Sequence, residues 1–276
     1  MATLVGGFLM PHDPFMSAAP HVAPKEKVDN TMASFRQVES RIRELAADTI
    51  IIIGDDHYCI FGPHCIPRCL IAIGDVEGPV EDWLNIPRGP IANHPELARH
   101  ILEHGYDEGI DWSFAKALSI DHAIAVPHHL AVRSNPKLRT IPIYLNAAVA
   151  PVIRSQRAYA IGQSIRRAID AWPGDERVVV FGTGGISHWV GTAEMGRVNE
   201  AFDQRILRLV EQGDIESLLA LTDAEILEQG GNGAFELKNW ICAMGVMGKL
   251  KAETIGYEAV PEWICGCGFA EIKQAA

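Results

Sequence analysis

DTIIIIGDDH, residues 48–57, is the stretch on which the fold turns. Its β-branched run carries no charge at its centre and stops at Gly54, so it reads as a strand buried on both faces rather than one with a wet side. Such a strand needs a covering layer above and below, which crossover helices between parallel strands supply. RVVVF at 177–181 is a second run of this kind, and TLVGGFLM at 3–10, ended by Pro11, is a third. Between them apolar residues recur at helical spacing. Val28, Met32, Phe35, Val38, Ile42 and Leu45 mark a helix over 26–46, and Val152, Ile153, Ile161, Ile165 and Ile169 one over 151–171. Further strands are expected at 66–73 and 140–145 and helices at 95–104, 112–118, 197–212 and 234–249, with short strands near 254–269. The Gly-, Pro- and Asp-rich segment 75–95, with Trp83, reads as a long surface loop. No repeat or linker divides the chain. The expectation is one α/β domain over 1–276, with a mainly parallel central sheet flanked by helices on both faces.

Composition narrows the function. The 24 Lys and Arg face 35 Asp and Glu, a formal charge of −11. That balance argues against nucleic acid, which needs a basic stripe, and against anionic membrane surfaces. No apolar run reaches the eighteen or so residues of a membrane span. The six cysteines, at 59, 65, 69, 242, 265 and 267, form no CxxC pair, and MATLVGGFLMPHDP has neither a charged leader nor a cleavage site. A cytoplasmic protein with reduced thiols is expected.

Three histidines hold equivalent places in this plan. His12 follows the first strand by two residues, His57 follows 48–54 by three, and His188 follows RVVVF by seven. Ligands of open α/β sheets bind beyond the carboxyl ends of the strands, so parallel strands would bring all three to one rim. Singly, each is better explained as a turn residue. Two imidazoles and one carboxylate on one face of a metal ion are the donor set of non-haem iron(II) oxygenases, but spacing cannot choose among so many carboxylates. Glu236, in GGNGAFELKNW, stands near the start of a helix, where a glutamate complementing the helix dipole is the blander reading. GTGGISH presents His188 after a flexible glycine turn, suited to an acid/base. His122 is a fourth candidate. His128 and His129 adjoin it in a helix-length segment, where at most one would share its pocket. His21, His64, His94, His100 and His104 read as surface or loop residues, and Asp55 and Asp56 as turn caps, one of which would orient His57.

GFLMPHDP, Asp56-His57, Asp121-His122 with its following Val-Pro, GTGGISH and the late Glu236 together resemble the class III extradiol dioxygenases. Within that group the likeness is to the protocatechuate 4,5-dioxygenase β subunit and the gallate and 3-O-methylgallate dioxygenases. The resemblance implies Fe(II) held by His12, His57 and Glu236, with His188 as acid/base and His122 against the substrate or its oxygen. The substrates implied are O2 and a small aromatic diol carrying an acid: 3-O-methylgallate, gallate or protocatechuate. Thr183 and Gly184, in the turn before His188, are expected to donate to such a substrate. The chain has no room for a fused lid of the kind some gallate enzymes carry, so a homodimer without an obligatory small lid subunit is expected. Two rivals remain: a zinc-dependent hydrolase or lyase on the same residues, since zinc accepts these donors, and a non-catalytic binding relative, which would have lost one or more rim residues, whereas all five candidates are present here.

Overall fold

A computed structural model describes residues 1–275. The strands are β1 (Thr3–Met10), β2 (Thr49–Gly54), β3 (Cys69–Gly78), β4 (Gly89–Ile91), β5 (Ser113–Ser119), β6 (Arg139–Leu145), β7 (Arg177–Thr183), β8 (Leu250–Val260) and β9 (Cys265–Gln274). The helices are α1 (Phe15–Ala18), α2 (Lys25–Glu44), α3 (Pro95–Asp107), α4 (His122–Ala131), α5 (Ser155–Ala171), α6 (Glu200–Gln212), α7 (Ile215–Ala220), α8 (Asp223–Gly230) and α9 (Leu237–Met247). The strands make one sheet ordered β4-β3-β6-β2-β7-β1-β9-β8, with β5 on β3. Its inner strands β6-β2-β7-β1 are parallel, and Ile51 lies between Ile141 and Val180. Toward the edges β3 pairs with β6, and β9 with β1 and β8, antiparallel. The mainly parallel character expected from sequence therefore holds for the core of a mixed sheet.

The isoleucine run is buried throughout because its alternate residues enter two different cores. Ile51 and Ile53, with Val178 and Val180, pack against Ile161 and Ile165 of α5 and Trp240 and Met244 of α9. Ile50 and Ile52, with Val179 and Phe181, meet Phe35, Val38 and Ile42 of α2 and Ile124 of α4. Helix α9 can approach α5 because Gly162 has no Cβ to strike the Cys242 carbonyl. No helix among the described residues is long and apolar enough to cross a membrane.

Three segments differ from the sequence reading. Most of 112–118, expected to be helical, instead belongs to β5, because the open edge of β3 accepts it as a parallel partner. The expected loop 75–95 instead completes β3, then makes a 3-10 turn at Asp82–Leu84 and the short strand β4. The C-terminal strands are a long antiparallel pair, β8 and β9, closing the β1 side of the sheet.

Candidate active site

Strand β7 lies between β1 and β2, so the residues just past these three C-terminal ends share one rim. His12 comes from the β1 end and His57 from the β2 end, their ring centroids 5.1 Å apart. Glu236 arrives from the opposite end of the sequence, as the last residue of the 3-10 turn Gly233–Glu236 that starts α9. Its Oε2 stands 3.3 Å from His12 Nε2 and its Oε1 3.2 Å from His57 Nε2. The fit is made possible at Gly184, whose φ of 146° leaves no space for a Cβ beside Glu236 Cβ. The Gly185 N–H donates to Glu236 Oε2 at 2.8 Å.

The remaining nitrogen of each imidazole is tethered. His12 Nδ1–H donates to Thr183 Oγ1 at 3.0 Å, while the Thr183 hydroxyl faces the carbonyls of Ile53 and Ala123 at 3.1 Å each. With its own proton directed to a carbonyl, Thr183 Oγ1 is an acceptor for His12. His57 Nδ1–H donates to Asp121 Oδ2 at 3.1 Å; Asp121 Oδ1 in turn accepts from the Tyr144 hydroxyl and the Ala123 N–H. Both rings thereby carry a proton on Nδ1 and turn Nε2, the nitrogen that a cation would take in place of a proton, toward the same carboxylate. His12 Nε2 is buried and makes no hydrogen bond. Two imidazole Nε2 atoms and a buried carboxylate turned on one another can serve as donors to a cation that displaces the proton between them, and donor atoms of His12, Asp55, His57 and Glu236 lie within 4.8 Å of one another.

The electrostatics follow from this crowding. Burial opposes the charge of Glu236, but His188 and His12 beside it hold its carboxyl well below the usual range. Burial likewise opposes a charged His57, yet Asp55, Asp121 and Glu236 hold its pKa well above that of a free imidazole. His12 is pushed down by burial. Asp55 is pushed well up by burial, and its Oδ1 accepts from Asn239 Nδ2 at 2.5 Å.

His188 Nε2 lies 3.2 Å from Glu236 Oε1, and its buried Nδ1 has no partner. Its loop is stitched to the one carrying Glu236: His188 N–H donates to the Gly230 carbonyl, and Gly233 N–H to the His188 carbonyl. Gly233 must be small because a Cβ there would strike the His188 ring. His122, at the first position of α4, stacks on His57 with centroids 4.1 Å apart.

These side chains floor a cavity of about 330 Å³, the size of a single-ring ligand site. Phe15, Trp83, Val190, Met195 and Ile264 supply its apolar wall, and neither Lys nor Arg is among its lining residues. Thr183 and Gly184, expected to touch substrate, are not among the lining residues: Thr183 is committed to His12, Gly184 backs Glu236, and Gly185 lines the cavity instead. Asp56 caps the turn after His57 rather than the one before it, accepting from the N–H groups of Cys59, Ile60 and Phe61. His94, read as a surface or loop residue, stands in the loop just before α3 but is buried and bonded to Glu176. Sequence reasoning missed Asp121 as the partner of His57. Its only local signal was that of a helix N-cap, a role it also fills.

A family model described as the catalytic LigB subunit of aromatic ring-opening dioxygenase matches residues 6–268. The 2,3-dihydroxyphenylpropionate/2,3-dihydroxicinnamic acid 1,2-dioxygenase of Photorhabdus laumondii is 26% identical, over 92% of this chain and 93% of its own. The protein of that name from Rhodococcus jostii is also 26% identical, over 95% and 96% of the two chains. Among solved structures, the uncharacterized protein JW3007 from Escherichia coli K12 superposes with a TM-score of 0.63 at 10% identity. The match covers 97% of this chain and 99% of that one, a likeness of fold alone.

Proposed function

The chain belongs to the family of catalytic LigB subunits of aromatic ring-opening dioxygenases, and on that premise we propose that His12, His57 and Glu236 hold iron(II). It is an extradiol ring-cleaving dioxygenase acting on catechol-type aromatics. The observation carrying the iron assignment is the pair of Nδ1-tethered imidazoles whose Nε2 atoms face Glu236. Iron(II), when bound, would supply a redox-active Lewis acid with coordination positions open to the diol and O2.

The chain's own side chains position the substrate and move its protons. Phe15, Trp83, Val190 and Met195 give the ring an apolar slot and keep water from the diol. His188 takes a proton from a substrate hydroxyl at a ring nitrogen and returns it as the ring opens, while His122 contacts the bound substrate. An aromatic acid (3-O-methylgallate, gallate or protocatechuate) is the proposed substrate, on the likeness of GFLMPHDP and GDDHY to the enzymes of that group. With no Lys or Arg in the lining, its carboxylate would be met by N–H donors or an imidazole. The exposed Trp83, Val190 and Met195 at the mouth support a second copy of the chain as its cover. Full activity in a monomer by sedimentation would remove that part of the reading.

The test is metal analysis of anaerobically purified protein, followed by O2 uptake and ultraviolet absorbance. The panel is gallate, 3-O-methylgallate, protocatechuate, 2,3-dihydroxyphenylpropionate and catechol. Iron at one equivalent with oxygen consumed per ring opened is expected. Zinc in the site, with no oxygen uptake from any diol, would sink the iron assignment.

A further inference from the structure

We propose that Glu81 is the positioning residue for His122, fixing which nitrogen of that ring faces the substrate; the inference rests on the ring-cleavage reading above. Glu81 lies in the segment between β3 and β4, far in sequence from the other site residues, and is buried to 8% exposure. It precedes the Asp82–Leu84 turn, where a side chain would be expected to cap, yet its carboxylate makes no capping bond. Instead Oε1 lies 2.5 Å from His122 Nδ1. The Cys59 thiol donates to the same oxygen at 3.3 Å, and Oε2 is buried without a partner. Both Glu81 and His122 line the cavity.

A carboxylate can only accept, so the proton of this contact belongs to His122 Nδ1. The neutral ring then turns its Nε2 lone pair away from Glu81, and that nitrogen makes no hydrogen bond among the described residues. A neutral imidazole can carry its proton on either nitrogen, and a half-turn about χ2 exchanges Nδ1 with Cδ2 with little change in shape, so packing alone fixes neither the tautomer nor the orientation. Glu81 chooses. The cavity-facing nitrogen becomes an acceptor, suited to a substrate hydroxyl, rather than a second N–H donor. Asp121 cannot serve His122 in this way: it stands 4.0 Å from His122 Nδ1, and its oxygens are taken by His57, Tyr144 and the Ala123 N–H. The site thus assigns one buried carboxylate to each of the two stacked imidazoles, Asp121 to His57 and Glu81 to His122.

Long-range 1H–15N correlation spectra of 15N-histidine-labelled, metal-free protein read the tautomer directly, with His122 identified by its loss in His122→Ala. Wild type and Glu81→Gln, whose amide oxygen still accepts, should show an Nδ1-protonated ring. Glu81→Ala should lose that signature, and if it does not fold, Glu81→Met fills the space without an acceptor. In metal-loaded enzyme Glu81→Ala should lower kcat roughly 10–100-fold at an unchanged metal content, with Glu81→Gln recovering most of the loss. Because Glu81 acts through His122, the double variant Glu81→Ala/His122→Ala should be no slower than His122→Ala. An unaltered His122 tautomer in Glu81→Ala, or additive losses in the double variant, overturns the proposal. Absence of ring cleavage by the wild type would instead count against the catalytic reading, while the spectra still decide whether Glu81 sets the His122 tautomer.

Discussion

His12, His57 and His122 each have one ring nitrogen held by the scaffold, and a neighbouring oxygen decides which one it is. For His12 that oxygen is Thr183 Oγ1, itself held between two carbonyls. Thr183→Val keeps the shape and removes the acceptor, so metal affinity should weaken roughly 10–100-fold. Metal titration of the apo variant checks this, and unchanged affinity would show that β1 alone orients the ring. His188 has a different role. Its carbonyl and N–H are fixed to the 230–233 loop while its ring borders the cavity, so His188→Ala should retain metal and lose ~10²–10⁴-fold in turnover. Metal loss in that variant, by elemental analysis, would recast His188 as a ligand. His12, His57 and His188 were legible in sequence because each follows a recognisable strand. Asp121 and Glu81 were not, because a carboxylate's hydrogen-bond partner is set by contacts 64 and 41 residues away in the chain.

Between elements, the loop carrying His188 is tied to the C-terminal strands through α6. Asp203 on α6 accepts from Ser187 Oγ at 3.0 Å and from the Tyr257 hydroxyl at 2.8 Å, joining the β7 loop to β8. Burial pushes the Asp203 carboxyl up to about 6. The native state therefore retains a proton that the unfolded chain, with an aspartate near 4, gives up earlier. Stability from this residue should fall as pH rises from about 4 through 6 and level off above, a loss on the order of 3 kcal/mol. Urea melts of wild type and Asp203→Asn across that range isolate the contribution, and identical pH slopes for the two would contradict it. The same scale explains the misread segment 112–118. Helix formers became β5 because an unpaired edge of β3 offered backbone partners that an isolated helix there would not need.

For the molecule as a whole, a charge of −11 surrounds a cavity lined without Lys or Arg. A carboxylated catechol approaches against that field, whereas catechol itself does not. Raising ionic strength from about 0.02 to 0.2 M shortens the screening length from roughly 20 to 7 Å. It should therefore raise kcat/KM for protocatechuate relative to catechol, by roughly twofold or more. A falling ratio would reveal a cation near the cavity mouth. The sequence by itself determined the α/β architecture, since uncharged β-branched runs such as 49–54 can be satisfied only between two helical layers. It also placed His12, His57 and His188 at strand ends, because strand direction carries each to the same rim. Only the tertiary structure decided that Glu236 is the carboxylate they meet, that Thr183 and Asp121 tether the rings, and that the sheet turns antiparallel at its edges. Periodicity reports which face of an element is buried; which carboxylate reaches a given nitrogen depends on how distant segments pack.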